Sequence, residues 1–110
     1  MSDVAPNFTR PKRAKQLAPP SSQVNNFFEM MIAERGASLN TIAAYKRDLN
    51  DFCLFMHRRG GKVEEADTVK IRQYLSHLRA KGRAATTRAR RLSVLRQFYA
   101  FLYAEEIKPD

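Results

Sequence analysis

The sequence predicts an all-α fold, and three observations carry that prediction. Apolar residues recur at spacings of three and four, no run alternates apolar and polar as a half-buried strand does, and all four glycines fall between the apolar runs. The first predicted helix runs from about Gln23 to Arg35. It follows Pro19-Pro20 and Ser21-Ser22, where proline resists helix continuation and serine can cap a start, and it places Val24, Phe27, Phe28, Met31 and Ile32 on one face before Gly36 ends it. Ser38 then caps a longer second helix reaching Arg59, with Leu39, Ile42, Tyr45, Leu49, Phe52, Cys53 and Met56 inward and Gly60-Gly61 as its stop. Asp67 or Thr68 caps a third helix, with Ile71, Tyr74, Leu75 and Leu78 inward, stopped by Gly82. The fourth begins near Ala85 and reaches about Ala104, with Leu92, Leu95, Tyr99 and Leu102 as its stripe and Phe98 beside them. The second and fourth helices are the longest and should cross at the centre, the others packing around them.

At 110 residues the chain suits one small domain. Residues 1–20 hold four basic residues and four prolines and read as a flexible basic arm; residues 21–108 read as the helical domain. A single cysteine, Cys53, excludes an internal disulfide and a multi-cysteine zinc site, which with no apolar leader or membrane-length run points to the cytoplasm and away from a membrane.

Lysine and arginine number 20 against 11 acidic residues, a formal net charge of +9. The distribution matters more than the total. Between Asp67 and Glu105 no acidic residue occurs, while Lys70, Arg72, Arg79, Lys81, Arg83, Arg88, Arg90, Arg91 and Arg96 all fall there. Like charges three or four residues apart repel by about a few tenths of a kcal/mol, so a helix needed only for solubility mixes signs. An external polyanion is the simplest compensation, and nucleic acid is the commonest one.

At about 100° per residue, Thr86, Arg90 and Gln97 point away from the fourth helix's apolar stripe, with Thr87 on a flank and Arg83 just ahead of the first turn. On the second helix Asn40, Ala44 and Arg47 lie opposite the core, with Thr41, Ala43 and Lys46 on the flanks. Guanidinium can fork onto phosphate or guanine, hydroxyls can donate to phosphate, and two alanines let a helix approach a groove closely. Simpler readings accompany these. Asn40 and Thr41 can serve as capping residues, Tyr45 belongs to the buried stripe, and Arg88 and Arg96 can lie over apolar surface.

Catalytic chemistry is not evident. His57 and His77 lie on different helices with no carboxylate cluster nearby, no glycine-rich phosphate loop or nucleophile elbow occurs, and Cys53 falls on an apolar stripe; no metal or cofactor is expected. The residues alone leave three classes open: a DNA-binding module, a stand-alone helix-turn-helix regulator, and a helical adaptor for RNA or an acidic protein.

Motifs in order along the chain then narrow these. Phe27 through Glu34-Arg35-Gly36, Ser38 to Tyr45 with Asp48-Leu49 and Phe52, Ile71-Arg72-Gln73-Tyr74-Leu75, and Ala89 to Tyr99 with Phe101-Leu102 together resemble the core-binding domain of tyrosine recombinases of the phage-integrase type. The resemblance covers about residues 24–108. It implies a four-helix, SAM-like orthogonal bundle that forms one jaw of a C-shaped clamp, with its second and fourth helices in the major groove of double-stranded DNA. On that reading Asn40, Thr41, Lys46, Arg47, Arg83, Thr86, Thr87, Arg90 and Arg91 face DNA. It further implies that strand cleavage and rejoining belong to a second, catalytic domain absent from this chain, that no tyrosine here is the nucleophile, and that further recombinase protomers are partners of the full-length protein.

Overall fold

The computed structural model describes residue 18 and residues 21–105. The proposed basic arm, apart from Ala18, lies outside the described residues. Four helices follow one another: α1 (Ser22–Arg35), α2 (Leu39–Arg58), α3 (Thr68–Ala80) and α4 (Ala85–Ala104), with a short 3-10 turn at Val63–Glu65 between α2 and α3. There is no strand among the described residues.

The helix starts obey the capping chemistry read from the sequence. Ser21 Oγ accepts from the amide of Val24, Ser38 Oγ from Thr41, and an Asp67 carboxylate oxygen from Lys70, each satisfying one of the amides a helix leaves unpaired at its start. Gly36 ends α1 in the left-handed conformation, φ 60°, which a side chain rarely adopts. α4 is the exception: Ala84 stands at its cap position and no side chain accepts from its first turn. The Ala18 amide donates to Asn50 Oδ1 at 2.8 Å.

The core is aromatic and all four helices feed it. Phe27 of α1 meets Phe98 of α4 edge-on at 5.5 Å, and Phe52 and Phe55 of α2 meet Tyr74 of α3 at 4.9 and 5.1 Å. The Tyr99 hydroxyl donates to the carbonyl of Val63, tying the α2–α3 connection to α4. Two predicted core residues are exposed. Leu39 is 83% exposed because it opens α2 ahead of the first turn that packs, and Ile32 is 51% exposed, one residue past the last α1 position that reaches the core. Phe55 and Val94, outside the predicted stripes, are buried.

α2 and α4 share the most extensive helix contact, and a carboxylate lies inside it. Asp48 is 3% exposed. Arg90 grips it with two parallel hydrogen bonds, Nε to Oδ2 at 2.8 Å and Nη2 to Oδ1 at 2.9 Å, and Arg91 Nε stands 3.4 Å from Oδ1. Arg91 also donates to Asp51 at 2.5 Å and to the Tyr74 hydroxyl, which itself donates to Asp51 at 2.6 Å. Burial and that bond to Asp51 hold the Tyr74 phenol well above its ordinary pKa.

Two stability predictions follow. Leu49→Ala removes a fully buried side chain and should cost about 3 kcal/mol in urea denaturation, against less than about 0.5 kcal/mol for Leu39→Ala at its exposed position. Arg90→Met strands a buried carboxylate with only Arg91 beside it and should cost about 3 kcal/mol. The double variant Asp48→Leu/Arg90→Met should recover most of that loss, because replacing both members of a buried pair by apolar groups is often near neutral.

Candidate nucleic-acid interface

The ion pairs of the crossing fix where the sequence-predicted site residues stand. Asp48 binds Arg90, and Tyr45, one turn earlier on α2, receives a hydrogen bond from Gln97 Nε2 at 3.4 Å, two turns later on α4. Residue number falls on α4 as it rises on α2, so the helices cross in opposite senses. The two helix beginnings therefore do not lie tip to tip: each leads into a shared crossing. Leu39 precedes Asp48 by nine residues, about 14 Å at ~1.5 Å per residue, and Ala85 precedes Arg90 by five, about 8 Å.

Around that crossing the α2 residues are arranged as the periodicity requires. Asn40, Ala43, Lys46 and Arg47 are exposed and Thr41 and Ala44 are half-exposed. Thr41 is engaged locally, its hydroxyl accepting from Ser38 Oγ at 3.0 Å and its amide donating to the same oxygen at 3.1 Å. The Lys46 ammonium stands 5.7 Å from the centre of the Phe28 ring, and its stem spans the seam between α1 and α2. Arg47 forms no ion pair with the described residues.

Arg83, just ahead of α4, is exposed, and on α4 Thr86 is exposed and Thr87 half-buried. Arg88 does not lie over apolar surface alone: its Nη1 donates to the Arg83 carbonyl at 2.6 Å and braces the turn that opens the helix. Arg90 and Arg91 have partners that no count along the chain reveals, since their acids lie about 40 residues upstream. They differ in what remains available. The Arg90 side chain is 49% exposed and its Nη1 has no partner among the described residues, whereas Arg91 is 15% exposed and directed at Asp48, Asp51 and Tyr74. Arg91 thus holds α4 in place, while Arg90 both holds it and shows a charged edge to solvent.

Sequence reasoning missed the acids of this site, and it missed Arg35. Arg35 Nη1 donates to Gln97 Oε1 at 3.2 Å, bringing the last turn of α1 to the same surface, and Gln97 in turn reaches Tyr45 and Ser93. The isolated position of Gln97, opposite the α4 stripe, was the only available signal. The surface is hydrogen-bonding and cationic: guanidinium groups at Arg35, Arg47, Arg83 and Arg90, hydroxyls at Thr86 and Thr87, and the uncapped amides of the α4 first turn. Such groups match phosphate oxygens and base edges.

No group of three or more potential metal-ligating residues occurs among the described residues. Burial, with help from the Glu64 charge, pushes the Cys53 thiol up to about 12, so it stays protonated and unreactive at neutral pH. No helix among the described residues is long and apolar enough to cross a membrane.

Comparison with known proteins identifies relatives of this chain. The chain is 51% identical over 89 residues to the tyrosine recombinase XerD of Agrobacterium fabrum strain C58, covering 81% of this chain and 27% of that protein. It is 50% identical over 90 residues to XerD of Rhizobium meliloti strain 1021, covering 82% and 29%, and 45% identical over 84 residues to XerD of Bradyrhizobium diazoefficiens, covering 76% and 26%. The chain therefore spans less than a third of the length of these relatives. No solved structure matches it. The model of the phage integrase N-terminal SAM-like domain matches residues 24–106, and with these relatives it places the protein: the chain belongs to the phage integrase N-terminal SAM-like domain family.

Proposed function

We propose that this chain is the DNA-gripping domain of a site-specific tyrosine recombinase, and that it holds duplex DNA against the crossing of α2 and α4. One observation carries the reading. Of the nine cations between Asp67 and Glu105, only Arg90 and Arg91 pair with acids among the described residues, and both pair with acids of α2 at the crossing, leaving the other seven without an acid partner among those residues. Asn40, Thr41, Lys46 and Arg47 contact the duplex from α2; Arg83, Thr86, Thr87 and the outer edge of Arg90 contact it from α4. Arg91 acts through its acids, fixing the rotation of α4.

The chemistry of cutting and rejoining belongs, on this reading, to the part of the recombinase beyond the aligned third. Three of the four tyrosines support that division, the fourth, Tyr103, being 42% exposed. Tyr74 and Tyr99 are buried, with phenols pushed well above the ordinary value chiefly by burial, and Tyr45 is half-buried against the core with its hydroxyl accepting from Gln97. The hydroxyls of these three are each hydrogen-bonded within the fold. The domain works in the cytoplasm, needs no cofactor, and meets further protomers through the full-length recombinase.

Binding by this domain alone should be weak, with a Kd in the micromolar range or above, and steeply salt-dependent, since each phosphate neutralised contributes about −0.9 to the slope of log K against log salt. Fluorescence anisotropy with a duplex of about two helical turns measures both. Arg47→Ala/Arg83→Ala should weaken binding across all sequences and flatten that slope by about 2. Salt-insensitive nanomolar binding, or equal affinity for single-stranded RNA and heparin, contradicts the reading.

A further inference from the structure

The face that α2 turns outward does not stop at the crossing. At ~100° per residue, Asn40, Ala44, Arg47, Asp51, Leu54 and Arg58 fall within about 40° of one direction, so the line that begins at Asn40 reaches the end of the helix. From Asn40 to Arg58 is 18 residues, about 27 Å at ~1.5 Å each. There α2 ends against the end of α3. The Phe55 and His77 rings meet at 5.3 Å, and the Arg59 guanidinium lies 3.7 Å from the Phe55 ring centre while donating to the Phe55 carbonyl at 3.3 Å. Lys81 closes α3 beside them. We propose that Arg58, Arg59, His77 and Lys81 form a second contact for the DNA backbone, on the same duplex that the crossing of α2 and α4 holds.

This rests on the proposed function and extends it to a surface outside the predicted site. Two helix C-termini converge here, and each carries roughly half a negative charge on its last carbonyls, which attracts cations without any ligand. That attraction accounts for about one charge. Arg59 and Lys81 alone supply two, so a surplus remains. Among the described residues, the carboxylates of the neighbouring segments are engaged elsewhere: Asp51 by Arg91 and Tyr74, Glu64 by the Ser21 hydroxyl, Glu65 by the Lys62 amide, and Asp67 at the opposite end of α3. Arg58 already has an interaction within the fold and Arg59 is stacked in place, so these groups are held before any ligand arrives. The cluster is also continuous with the α4 side of the interface. Arg83 follows Lys81 across Gly82, and its amide donates to the Leu78 carbonyl at 3.0 Å, one residue past His77.

His77 reports on this surface. Its imidazole is held below the ordinary histidine value first by burial, then by Lys81, Arg59 and Arg58, with Asp51 opposing them. A phosphate backbone laid across the cluster must reverse the charge effect and raise the value. Binding then takes up protons, so the added affinity is present below the free protein's pKa and is lost as pH rises through that of the complex.

The test is an NMR titration of the His77 imidazole in the whole chain, free and saturated with a duplex of about two helical turns, with inorganic phosphate at equal ionic strength as control. We expect the midpoint to rise with duplex and to stay put with phosphate. Arg59→Ala/Lys81→Ala should flatten the salt slope by about 1–2. An unmoved His77 midpoint with duplex bound overturns the proposal, whether or not that variant folds. If Arg47→Ala/Arg83→Ala still weakens binding in that case, the α2/α4 interface stands and only the second contact falls. If that variant also binds as the parent does, the interface itself is wrong. An equal rise with inorganic phosphate marks a small-anion site and likewise overturns the duplex contact.

Discussion

A single carboxylate closed inside the seam of two helices constrains the rest of this molecule. A buried charge is tolerated only when it is paired and its lone pairs are satisfied, so Asp48 requires arginines from the opposing helix. Arg90 and Arg91 are consecutive and therefore diverge by about 100° around α4. Asp48 can meet both, with Asp51 taking the second, at only one rotation of α4 about its axis. Turning the helix by one residue would unpair an arginine and withdraw Val94, Leu95 and Phe98 from the core together. That rotation also decides which side chains look outward. The position of Arg83 and Thr86 on the surface is thus a consequence of what happens inside.

How much of this was legible in the sequence depends on the range of the interaction. Caps and stops act within three or four residues, and Ser38, Asp67, Gly36 and the start at Ala85 were all readable. Core stripes were readable wherever the whole turn packs, and failed at ends: Leu39 has the right period but lies at the first position of α2, with no helix over it. Phe55 and Val94 were missed because a helix enclosed by two neighbours buries more than one stripe. Asp48 stands in the Asp48-Leu49 motif with no local mark of its burial. Its role depends on a partner 42 residues away, and no local pattern encodes that.

The same limit shaped the reading of charge. Counting along the chain from Asp67 to Glu105 gave nine cations without an acid, and the count was true of the sequence while incomplete for the fold, because α2 lends two carboxylates to α4. The surviving surplus is smaller. It consists of Lys70, Arg72, Arg79 and Lys81 along α3 and its end, Arg83 in the turn before α4, and Arg88 and Arg96 on α4, and local density governs contact with a phosphate within a Debye length of about 10 Å.

Arg90 shows why pairing and binding need not compete. A long side chain captured from solvent gives up about 0.5–1.5 kcal/mol of rotamer freedom when a ligand immobilises it. Arg90 surrenders that freedom during folding, since Asp48 holds Nε and Nη2 while Nη1 stays outside with half of the side chain exposed. Its charge is partly offset by the acid, so it attracts a distant polyanion less than Arg47 or Arg83 does. At contact the order reverses, because its remaining donor already points in a fixed direction. Long-range attraction and local fit are thereby divided between different arginines of one surface. The unpaired ones bring the duplex in, and the buttressed one sets how it lies.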